Sequence, residues 1–350
     1  MKVLFLYTEL SAYFLSCMND LVEKNNIEAH VVHWPLNKEA PFQFTFPDNI
    51  RFYKRAELNT EQLSGLAKKI SPDLIYCSGW TDKSYLAVCK EFRKKIPVVV
   101  GFDNKWTGSA KQQLAAVFSK LTVRRYFSHC WIPGDPQMVF ARKLGFNDKN
   151  ILTGFYSCDY DLFHDLYLRS TDMKKKKFPH RFIFAGRYNV LKGIRDLWTA
   201  FVELQNEYPN DWELWCLGTG DIAPIVHPKI KHFGFVQPGD MAKFISDTGV
   251  YILPSHFEPW GVSVHEFAAA GFPLICSDQV GSADAFLKDG QNGLLFSSGN
   301  IKELKSVLKK MMALPDEKLF IMGEKSAELA QQITPRIWSD TLMSVLNKKA

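Results

Sequence analysis

The stretch HFEPWGVSVHEFAAAG, residues 256–271, directly follows the short apolar run VYILPS at residues 250–255. An apolar run of this length predicts a buried strand, and the residues after it carry a helical pattern that begins near Gly261. Gly271 is typical of the end of a helix. A strand that leads into a helix is the unit of parallel α/β sheets, so this stretch decides the fold class.

Two glutamates stand eight positions apart in this stretch. Glu258 precedes the predicted helix, and Glu266 lies more than one turn inside it. Backbone N–H groups at the start of a helix have no partner within the helix, so residues 260–263 offer donors to a diphosphate. Carboxylates accept hydrogen bonds from the vicinal hydroxyls of a sugar or a ribose. The arrangement predicts a nucleotide-sugar site, with one acid at each polyol and the phosphates between them.

The same alternation extends over the whole chain, where apolar runs are separated by stretches with helical periodicity. The apolar runs predicted to be strands lie at 2–7, 27–34, 72–79, 96–102, 181–187, 212–220, 230–236, 250–255 and 273–278. Strands that alternate with helices predict a parallel sheet. The rhythm restarts after the lysine run at 174–177, and 350 residues suit two domains. We interpret the lysine run as a solvated linker, because like charges repel and extend a chain.

The positive charge is concentrated in the first half of the chain. Residues 1–177 hold 26 Lys and Arg against 18 Asp and Glu, whereas residues 178–350 hold 17 against 19, within a net charge of +6. A basic half suggests an anionic partner such as a phosphate, a nucleic acid or a membrane surface. A charged surface that serves only solubility is the alternative.

Cysteine usage and hydropathy indicate a cytoplasmic protein. The seven cysteines show no C-x-x-C spacing and several lie in apolar runs, which predicts buried, reduced thiols. The opening MKVLFLYTEL has an apolar run too short for a signal peptide, and no window reaches the ~20 apolar residues of a membrane-spanning helix. We therefore expect a cytoplasmic location.

A further candidate for phosphate binding is FAGRYNVLKG, residues 184–193. Gly186 ends a predicted strand, and Arg187 and Lys192 come before a helix that starts near Gly193. Two cations beside a helix start form an anion site, and α/β proteins bind ligands at the carboxyl ends of their strands. The sequence therefore predicts phosphate contacts for both cations.

Two glycines in LWCLGTGD, Gly218 and Gly220, follow another predicted strand. The full G-x-G-x-x-G fingerprint of dinucleotide-binding proteins is absent. We interpret the two glycines as allowing a close backbone approach to a ligand, or a tight turn.

Residues 180–300 resemble the retaining nucleotide-sugar glycosyltransferases of family four. The resemblance is carried by the Glu-x7-Glu element within ILPSHFEPWG and EFAAAGFPLICSD, by FAGRYNVLKG before it and by QNGLLF after it. It implies the GT-B fold, an α/β architecture of two facing Rossmann-like domains with a cleft between them. The predicted domains are 1–168 on the acceptor side and 180–333 on the nucleotide-sugar side, with a linker at 169–179. The family's C-terminal helix implies that 334–350 packs back on the first domain.

The resemblance also implies roles for residues of the second half. Glu266 would hold the ribose hydroxyls, and Glu258 the hydroxyls of the donor sugar. Arg187 and Lys192 would neutralise the diphosphate and the leaving group without a metal. It also implies Phe235 and Val236 near the base and Pro259, Trp260 and Gly261 around the sugar. The other donor candidates, Gly186, Gly218, Gly220, Val262 and Ser263, come from the strand ends and the helix start described above.

The first half departs from the family pattern. YTELSAYF lacks the usual glycine pair after the first strand, and GFDNKW has Asp103 near the position where a histidine is common. Asp103 is the candidate for the polar group near the anomeric carbon, where it would stabilise charge or orient the acceptor hydroxyl. A helix cap is the alternative. The acceptor-side candidates are Glu9, Ser11, Asn104 and Trp106.

The stretch KQQLAAVFSKLTVRRYF, residues 111–127, combines apolar and basic positions. Its apolar residues are Leu114, Val117, Phe118 and Leu121, and its cations are Lys111, Lys120, Arg124 and Arg125. A basic amphipathic helix can lie on anionic lipid, which suggests peripheral contact with a membrane that carries a lipid-linked acceptor. Packing of the apolar side chains into the core is the alternative.

Two other patterns are given structural interpretations. The Asp159-x-Asp161 pair has a metal-binding spacing, but it falls where the family has a linker turn, so no metal is expected there. His265 stands inside the helix beside Glu266, and we interpret it as a packing residue.

The resemblance therefore implies a retaining, metal-independent glycosyltransferase without cofactor. It would move sugar from a UDP-sugar to a glycan or lipid-linked glycan, as in surface polysaccharide or lipopolysaccharide synthesis at the inner membrane face, with no nucleic acid partner. The alternatives are a catalytically inactive subunit that binds nucleotide sugar, or a sugar-nucleotide epimerase of the same fold. A phosphorylase would require a lysine for pyridoxal phosphate, which no motif marks.

Overall fold

The computed structural model describes residues 1–35, 42–44 and 46–347, and its internal contacts divide the chain into two α/β units. The first unit contains residues up to 157 and again from 333. Its strands are β1 (Lys2–Tyr7), β2 (Glu28–His33), β3 (Ile50–Lys54), β4 (Leu74–Ser78), β5 (Val98–Gly101), β6 (His129–Trp131) and β7 (Ile151–Leu152). All pair in parallel in the order β3-β2-β1-β4-β5-β6-β7.

The helices of the first unit follow the strands and cover the sheet. In chain order they are α1 (Ala12–Asn25), α2 (Thr60–Ile70), α3 (Lys83–Phe92), α4 (Ala110–Val117), α5 (Val123–Tyr126) and α6 (Asp135–Lys143). Polar side chains start several of them. Asn59 and Gln62 form a capping box at α2, and Asp82 accepts from the backbone of Ser84 and Tyr85 at α3.

The second unit covers residues 158–332 and repeats the plan with six strands. They are β8 (Arg181–Ala185), β9 (Glu213–Leu217), β10 (Ile230–His232), β11 (Val250–Leu253), β12 (Leu274–Ser277) and β13 (Gly293–Phe296), parallel throughout in the order β10-β9-β8-β11-β12-β13. Its helices are α7 (Tyr160–Lys176), α8 (Ile194–Glu207), α9 (Ala242–Asp247), α10 (Val262–Ala269), α11 (Ala283–Phe286), α12 (Ile301–Met312) and α13 (Asp316–Ala330).

The strand order of each unit reverses beside its first strand. In the first unit the reversal lies between β1 and β4, and in the second between β8 and β11. The chain leaves these neighbouring strands in opposite directions, so their carboxyl ends open a crevice, which is where doubly wound sheets bind ligands. The loops after β8 and β11 contain the two stretches that the sequence singled out.

The last helix, α14 (Pro335–Asn347), belongs to the first unit and packs against α1. Trp338 on α14 is 2% exposed, and its indole N–H donates to the Phe155 carbonyl at 2.9 Å. Its ring lies 4.8 Å from that of Trp131 and 6.3 Å from that of Phe5. The sequence placed this helix at 334–350, of which 348–350 lie outside the described residues.

The prediction of an extended, solvated linker at 169–179 is wrong. Residues up to Lys176 continue α7, and the compact units meet in sequence at 157 and 158 rather than near 168. Lys174 is buried, and its ammonium lies 3.7 Å from the centre of the Phe272 ring. Burial lowers the pKa of Lys174 to about 7, and the face of the Phe272 ring gives its ammonium a favourable contact, so this lysine is not solvated as the sequence pattern predicts.

The prediction of one continuous helix over residues 111–127 is also wrong. The chain forms α4 and α5 with a turn between them, since Phe118 ends α4 and Val123 begins α5. Core packing of its apolar residues, the alternative interpretation, is contradicted as well. Leu114 and Leu121 are among four exposed apolar side chains of this segment.

We predict that Trp338→Ala lowers the free energy of unfolding by about 3–5 kcal/mol, because it empties a large buried site and leaves the Phe155 carbonyl without its donor. Ile337→Ala on the same helix is the control, since Ile337 is exposed and its removal should change the free energy by less than about 1 kcal/mol. Urea unfolding followed by circular dichroism measures both variants. Equal midpoints for Trp338→Ala and the natural protein would contradict the packing described.

Candidate functional site

The loops that follow β8 and β11 are fastened together along their backbones. The N–H groups of His256 and Phe257 donate to the carbonyl of Leu191, at 2.8 and 3.3 Å. A Cβ on Gly193 would lie 2.1 Å from the Pro254 carbonyl oxygen, and Gly193 also has a positive φ of 65°. Only glycine fits this approach, so the two loops are held in one fixed arrangement at the reversal of the sheet.

An ion pair between Lys192 and Glu258 joins the side chains of the same two loops. The two side chains are 20% and 12% exposed. We expected separate partners for these residues, a diphosphate for Lys192 and a sugar for Glu258. The structure brings them together, so each charge is neutralised by the other at the crevice, where the pair still reaches solvent.

A second link fastens the loop after β11 to α8. Nε2 of His256 lies 2.7 Å from the carboxylate of Asp196. Neither residue was predicted for the site, because a histidine and an aspartate sixty positions apart carry no recognisable motif. Their contact fixes the start of the stretch that contains Glu258.

Glu266 occupies the middle of α10 and is partly buried. Burial raises the pKa of its carboxyl to about 7, and the nearby negative charge of Asp159 raises it further. Within the described residues its carboxylate makes no hydrogen bond to another side chain or to the backbone. A carboxylate of this kind has its acceptor capacity available for hydroxyl groups of a ligand.

Tyr251 on β11 contacts the start of α10 and lies near both glutamates. Its hydroxyl donates to the Ser263 hydroxyl at 2.7 Å. Burial is the main cause of the raised pKa of Tyr251, and the charges of Glu266 and Glu258 add to it. Both acids therefore lie within electrostatic reach of one buried phenol, which places them in the same part of the unit.

His265 anchors α10 and is structural, as interpreted from the sequence. It is fully buried, Nδ1 accepts from the Cys158 N–H at 3.1 Å, and Nε2 donates to the Ala330 carbonyl at 2.9 Å. Burial lowers its pKa to about 4, so the ring is neutral. Its ring stacks on Phe286, 4.1 Å away between centres. These contacts set the rotation of the helix that presents Glu266.

Trp260 does not line an open pocket with its indole, contrary to expectation. The side chain is 2% exposed and packs edge-on against Phe286. Its carbonyl accepts from the Ser282 N–H at 2.8 Å, so the backbone turn is fixed from the interior. The next residue, Gly261, precedes α10 with a φ of 93°, a conformation that favours glycine. The neighbouring Pro259 carbonyl lies so close to Gly281 that a Cβ there would be 2.1 Å away.

Gly218 and Gly220 make their close approach to protein rather than to an open surface. A Cβ on Gly218 would lie 2.0 Å from the Gly186 carbonyl oxygen, and one on Gly220 would lie 2.3 Å from that of Tyr188. Both glycines therefore pack against the loop that carries Arg187. Arg187 itself is exposed. Among the other donor candidates, Phe235 and Val236 are partly exposed in the segment after β10, and Val262 and Ser263 form the first turn of α10.

Asp103 lies in the first unit on the loop after β5. Its carboxylate accepts from the Tyr156 hydroxyl at 3.3 Å, and its carbonyl accepts from the Gln137 amide at 3.1 Å. The capping alternative is wrong, because Ser109 caps the next helix. Burial raises the pKa of the Tyr156 hydroxyl, and the Asp103 charge adds to it, so the phenol remains the donor in this contact.

The acceptor-side candidates have different surroundings. Ser11 is buried and caps α1 by accepting from the Phe14 N–H, so its oxygen already has a structural task. Glu9 and Asn104 are exposed. Trp106 is partly exposed, and the Lys143 ammonium lies 4.6 Å from the centre of its ring.

Asp159 caps α7 by accepting from the Leu162 N–H at 3.4 Å. Among the residues that the structure describes, no group of three or more His, Cys, Asp or Glu side chains could hold a metal ion. All seven cysteines are free and buried, as predicted.

Comparison with known sequences supports the resemblance. Residues 179–314 match the family described as "Glycosyl transferases group 1". Glycogen synthase of Mycobacterium tuberculosis is 25% identical over 146 residues, 39% of this chain and 35% of that protein. Alpha-monoglucosyldiacylglycerol synthase of Acholeplasma laidlawii is 31% identical over 125 residues, 33% of this chain and 31% of that protein. This chain therefore spans about a third of the length of these two relatives.

A third relative, the lipopolysaccharide core biosynthesis glycosyltransferase LpsE of Rhizobium meliloti, is 23% identical over 173 residues, 47% of this chain and 48% of that protein. Solved structures match over nearly the whole chain. Anabaena Alr3699/HepE in complex with UDP has 15% identity and a TM-score of 0.73, covering 99% of this chain and 100% of its own.

Sucrose-phosphate synthase of Thermosynechococcus elongatus has 15% identity and a TM-score of 0.71, covering 99% of both chains. Identities this low show the fold alone, and that fold is GT-B. The match of residues 179–314 covers the reversal of the second sheet, the Lys192–Glu258 pair and α10 with Glu266. The match to the glycosyl transferases group 1 thus lies within the second unit, and the chain as a whole has the GT-B fold.

Proposed function

We propose that this protein is a retaining glycosyltransferase that takes a sugar from a UDP-sugar and gives it to a glycan or lipid-linked acceptor in surface polysaccharide synthesis. The observation that supports it most is the placement of Lys192, Glu258 and Glu266 around the sheet reversal of the unit that matches the family. Solved structures of the HepE protein hold UDP, UDP with glucose, and UDP-glucose, which supports UDP as the nucleotide.

The donor would lie along the start of α10. Glu266 would accept from the two ribose hydroxyls, and the free N–H groups of Val262 and Ser263 would face the diphosphate. Lys192 would then exchange part of its contact with Glu258 for a phosphate oxygen, which leaves that carboxylate to accept from the sugar hydroxyls. Arg187, exposed earlier in the same loop, would add a second cation.

The transfer would proceed with charge neutralised by side chains and the helix start. The bond between the anomeric carbon and the diphosphate oxygen breaks, and the acceptor hydroxyl oxygen bonds to that carbon on the same face. The hydroxyl proton passes to the released diphosphate. Lys192 and Arg187 stabilise the leaving group, and Asp103 orients the acceptor hydroxyl, so no metal or cofactor takes part.

The location we propose is the cytoplasm, at the inner face of the membrane where lipid-linked acceptors are extended. The seven buried, free thiols suit a reducing compartment. No helix within the described ranges has both the length and the hydropathy that crossing a membrane requires.

The first experiment measures donor binding and turnover by the purified chain over a panel of nucleotide sugars. We predict that a UDP-sugar raises the melting temperature by mass action and that Lys192→Met weakens its binding by about ten- to a hundredfold, the value of a charged hydrogen bond. Lys325→Met is the control, because Lys325 forms an exposed pair with Glu328 on α13. Unchanged affinity in Lys192→Met would contradict the donor site.

The same panel separates the alternatives. Binding without release of UDP, with or without acceptor, would indicate the inactive subunit, and conversion of one UDP-sugar into its epimer would indicate the epimerase. Transfer that persists after divalent cations are chelated supports the metal-independent reaction.

We predict that donor affinity rises as the pH increases from 6 to 8, because Glu266 accepts from ribose hydroxyls best once ionised and its pKa is about 7. Glu266→Gln should bind more weakly and lose this dependence. Titration calorimetry with an intact UDP-sugar, whose phosphates do not titrate in this range, measures both. A wild-type affinity that is flat between these pH values would reject the role.

The ligand-free protein provides an independent check on the same group. The folded pKa of Glu266 lies above its ordinary value of 4.5, so the folded state binds more protons and stability falls as the pH rises from about 4.5 through 7. Glu266→Gln removes that loss and should melt relatively higher at pH 8 than at pH 5. Glu303→Gln is the control and should differ from the natural protein by nearly the same amount at both pH values, because the Ser297 N–H lowers the pKa of Glu303 and its titration lies largely below pH 5.

We predict that Asp103→Asn lowers turnover by roughly a hundred- to a thousandfold while the donor dissociation constant stays within about twofold, because Asp103 acts on the acceptor. Asp48→Asn, an exposed carboxylate of the same unit, is the control and should leave both values unchanged. Coupled detection of UDP release gives turnover. Loss of donor affinity in Asp103→Asn that equals its loss of turnover would contradict this assignment.

A further inference from the structure

The surface of the first unit carries a compact cluster of exposed apolar side chains. Leu114 is 59% exposed, Val117 75%, Phe118 50% and Leu121 70%, and all four fall within eight residues at the end of α4 and the turn after it. Single exposed apolar residues are ordinary on a protein surface, but four large ones within eight residues are not. We name these four residues the apolar turn.

The apolar turn is held in place from below. Ser119 is buried within it, and the Thr122 hydroxyl donates to the Phe118 carbonyl at 2.9 Å. The backbone N–H of Arg124 donates to the Ser119 carbonyl at 2.8 Å, which closes the turn on its other side. The exposed side chains therefore belong to an ordered turn that presents them outward.

Positive charge surrounds the apolar turn. Lys111, Lys120 and Arg125 are exposed on the same segment, and no acidic residue occurs between 104 and 134. Arg124 is different, because its guanidinium stacks 4.4 Å from the centre of the Phe146 ring and donates to the Phe127 and Ser128 carbonyls. Three cations are thus available to a partner, and the fourth serves the fold.

We propose that the apolar turn and its three cations form a docking surface for an anionic lipid bilayer. Apolar side chains with a rim of lysine and arginine match the boundary between acyl chains and negative headgroups in both hydropathy and charge. The uniform positive sign disfavours a second copy of the same surface, which would bring like charges together. This inference concerns binding alone and does not depend on the proposed reaction.

Insertion is tested directly with a fluorescent probe on the apolar turn. All seven natural cysteines are buried, so Val117→Cys provides one accessible thiol for an environment-sensitive fluorophore. We expect a blue shift and at least about a twofold rise in emission with vesicles of phosphatidylcholine and phosphatidylglycerol, and quenching by lipids labelled in the acyl chain. Val226→Cys, fully exposed in the second unit, is the matched control and should show neither change.

Co-sedimentation with the same vesicles measures affinity. Replacing Leu114, Val117 and Leu121 by serine, or Lys111, Lys120 and Arg125 by glutamate, should weaken binding at least about tenfold. Lys83, Lys90 and Lys94, exposed on and beside α3, provide the matched charge control when replaced by glutamate. Thermal melting confirms that each variant remains folded, as expected for surface positions.

Vesicle binding that both sets of variants leave unchanged, or an unshifted probe at Val117, would overturn the proposal. A dimer in light scattering that the serine variants dissociate, without vesicle binding, would overturn it in favour of a contact between copies. Binding that is equal on pure phosphatidylcholine would overturn the role of the three cations.

Discussion

The candidate site of the second unit depends on the contact between two loops that end neighbouring strands. Gly193 leaves no room for a side chain beside the Pro254 carbonyl, and the Leu191 carbonyl receives two N–H groups from the opposite loop. Because these are backbone contacts, they fix the loops before any side chain takes part. The Lys192–Glu258 pair is then a consequence of the backbone arrangement. Its two charges neutralise each other at the crevice. An anionic ligand can therefore replace Glu258 as the partner of the Lys192 ammonium and fill the space beside it.

Much of the fold follows from hydrophobic pattern, and the exceptions have physical causes. Strands such as β1 and β11 can be recognised from the sequence because each is a short, almost entirely apolar run. The edge strand β3 was not predicted, because its sequence IRFYK mixes apolar residues with two cations, whose side chains an edge strand exposes to water. The linker was misplaced because four lysines suggest solvent, whereas Lys174 finds the face of Phe272. The failure at 111–127 has the same origin, since periodicity detects apolar residues but not whether anything covers them.

The site was predictable at the level of which residues lie near the crevice. Glu258, Glu266 and Lys192 all follow strands whose carboxyl ends meet, which chain order and the rules of parallel sheets indicate. Their mutual contacts were not predictable. The pairing of Lys192 with Glu258 requires β8 and β11 to be neighbours, and the burial of Trp260 requires its contact with Phe286. His265 was recognised as structural, but its two partners lie far away in sequence at residues 158 and 330.

The return of α14 to the first unit sets an order on the making of the protein. Residues 158–332 have all their strands and helices available once they have been synthesised. The first unit, although it starts earlier, has an open place beside Phe5 and Trp131 until Trp338 has left the ribosome. Domains generally fold from the amino end during synthesis. Here the unit that begins first is completed last, so the aromatic site beside Phe5 and Trp131 stays open until the end of translation.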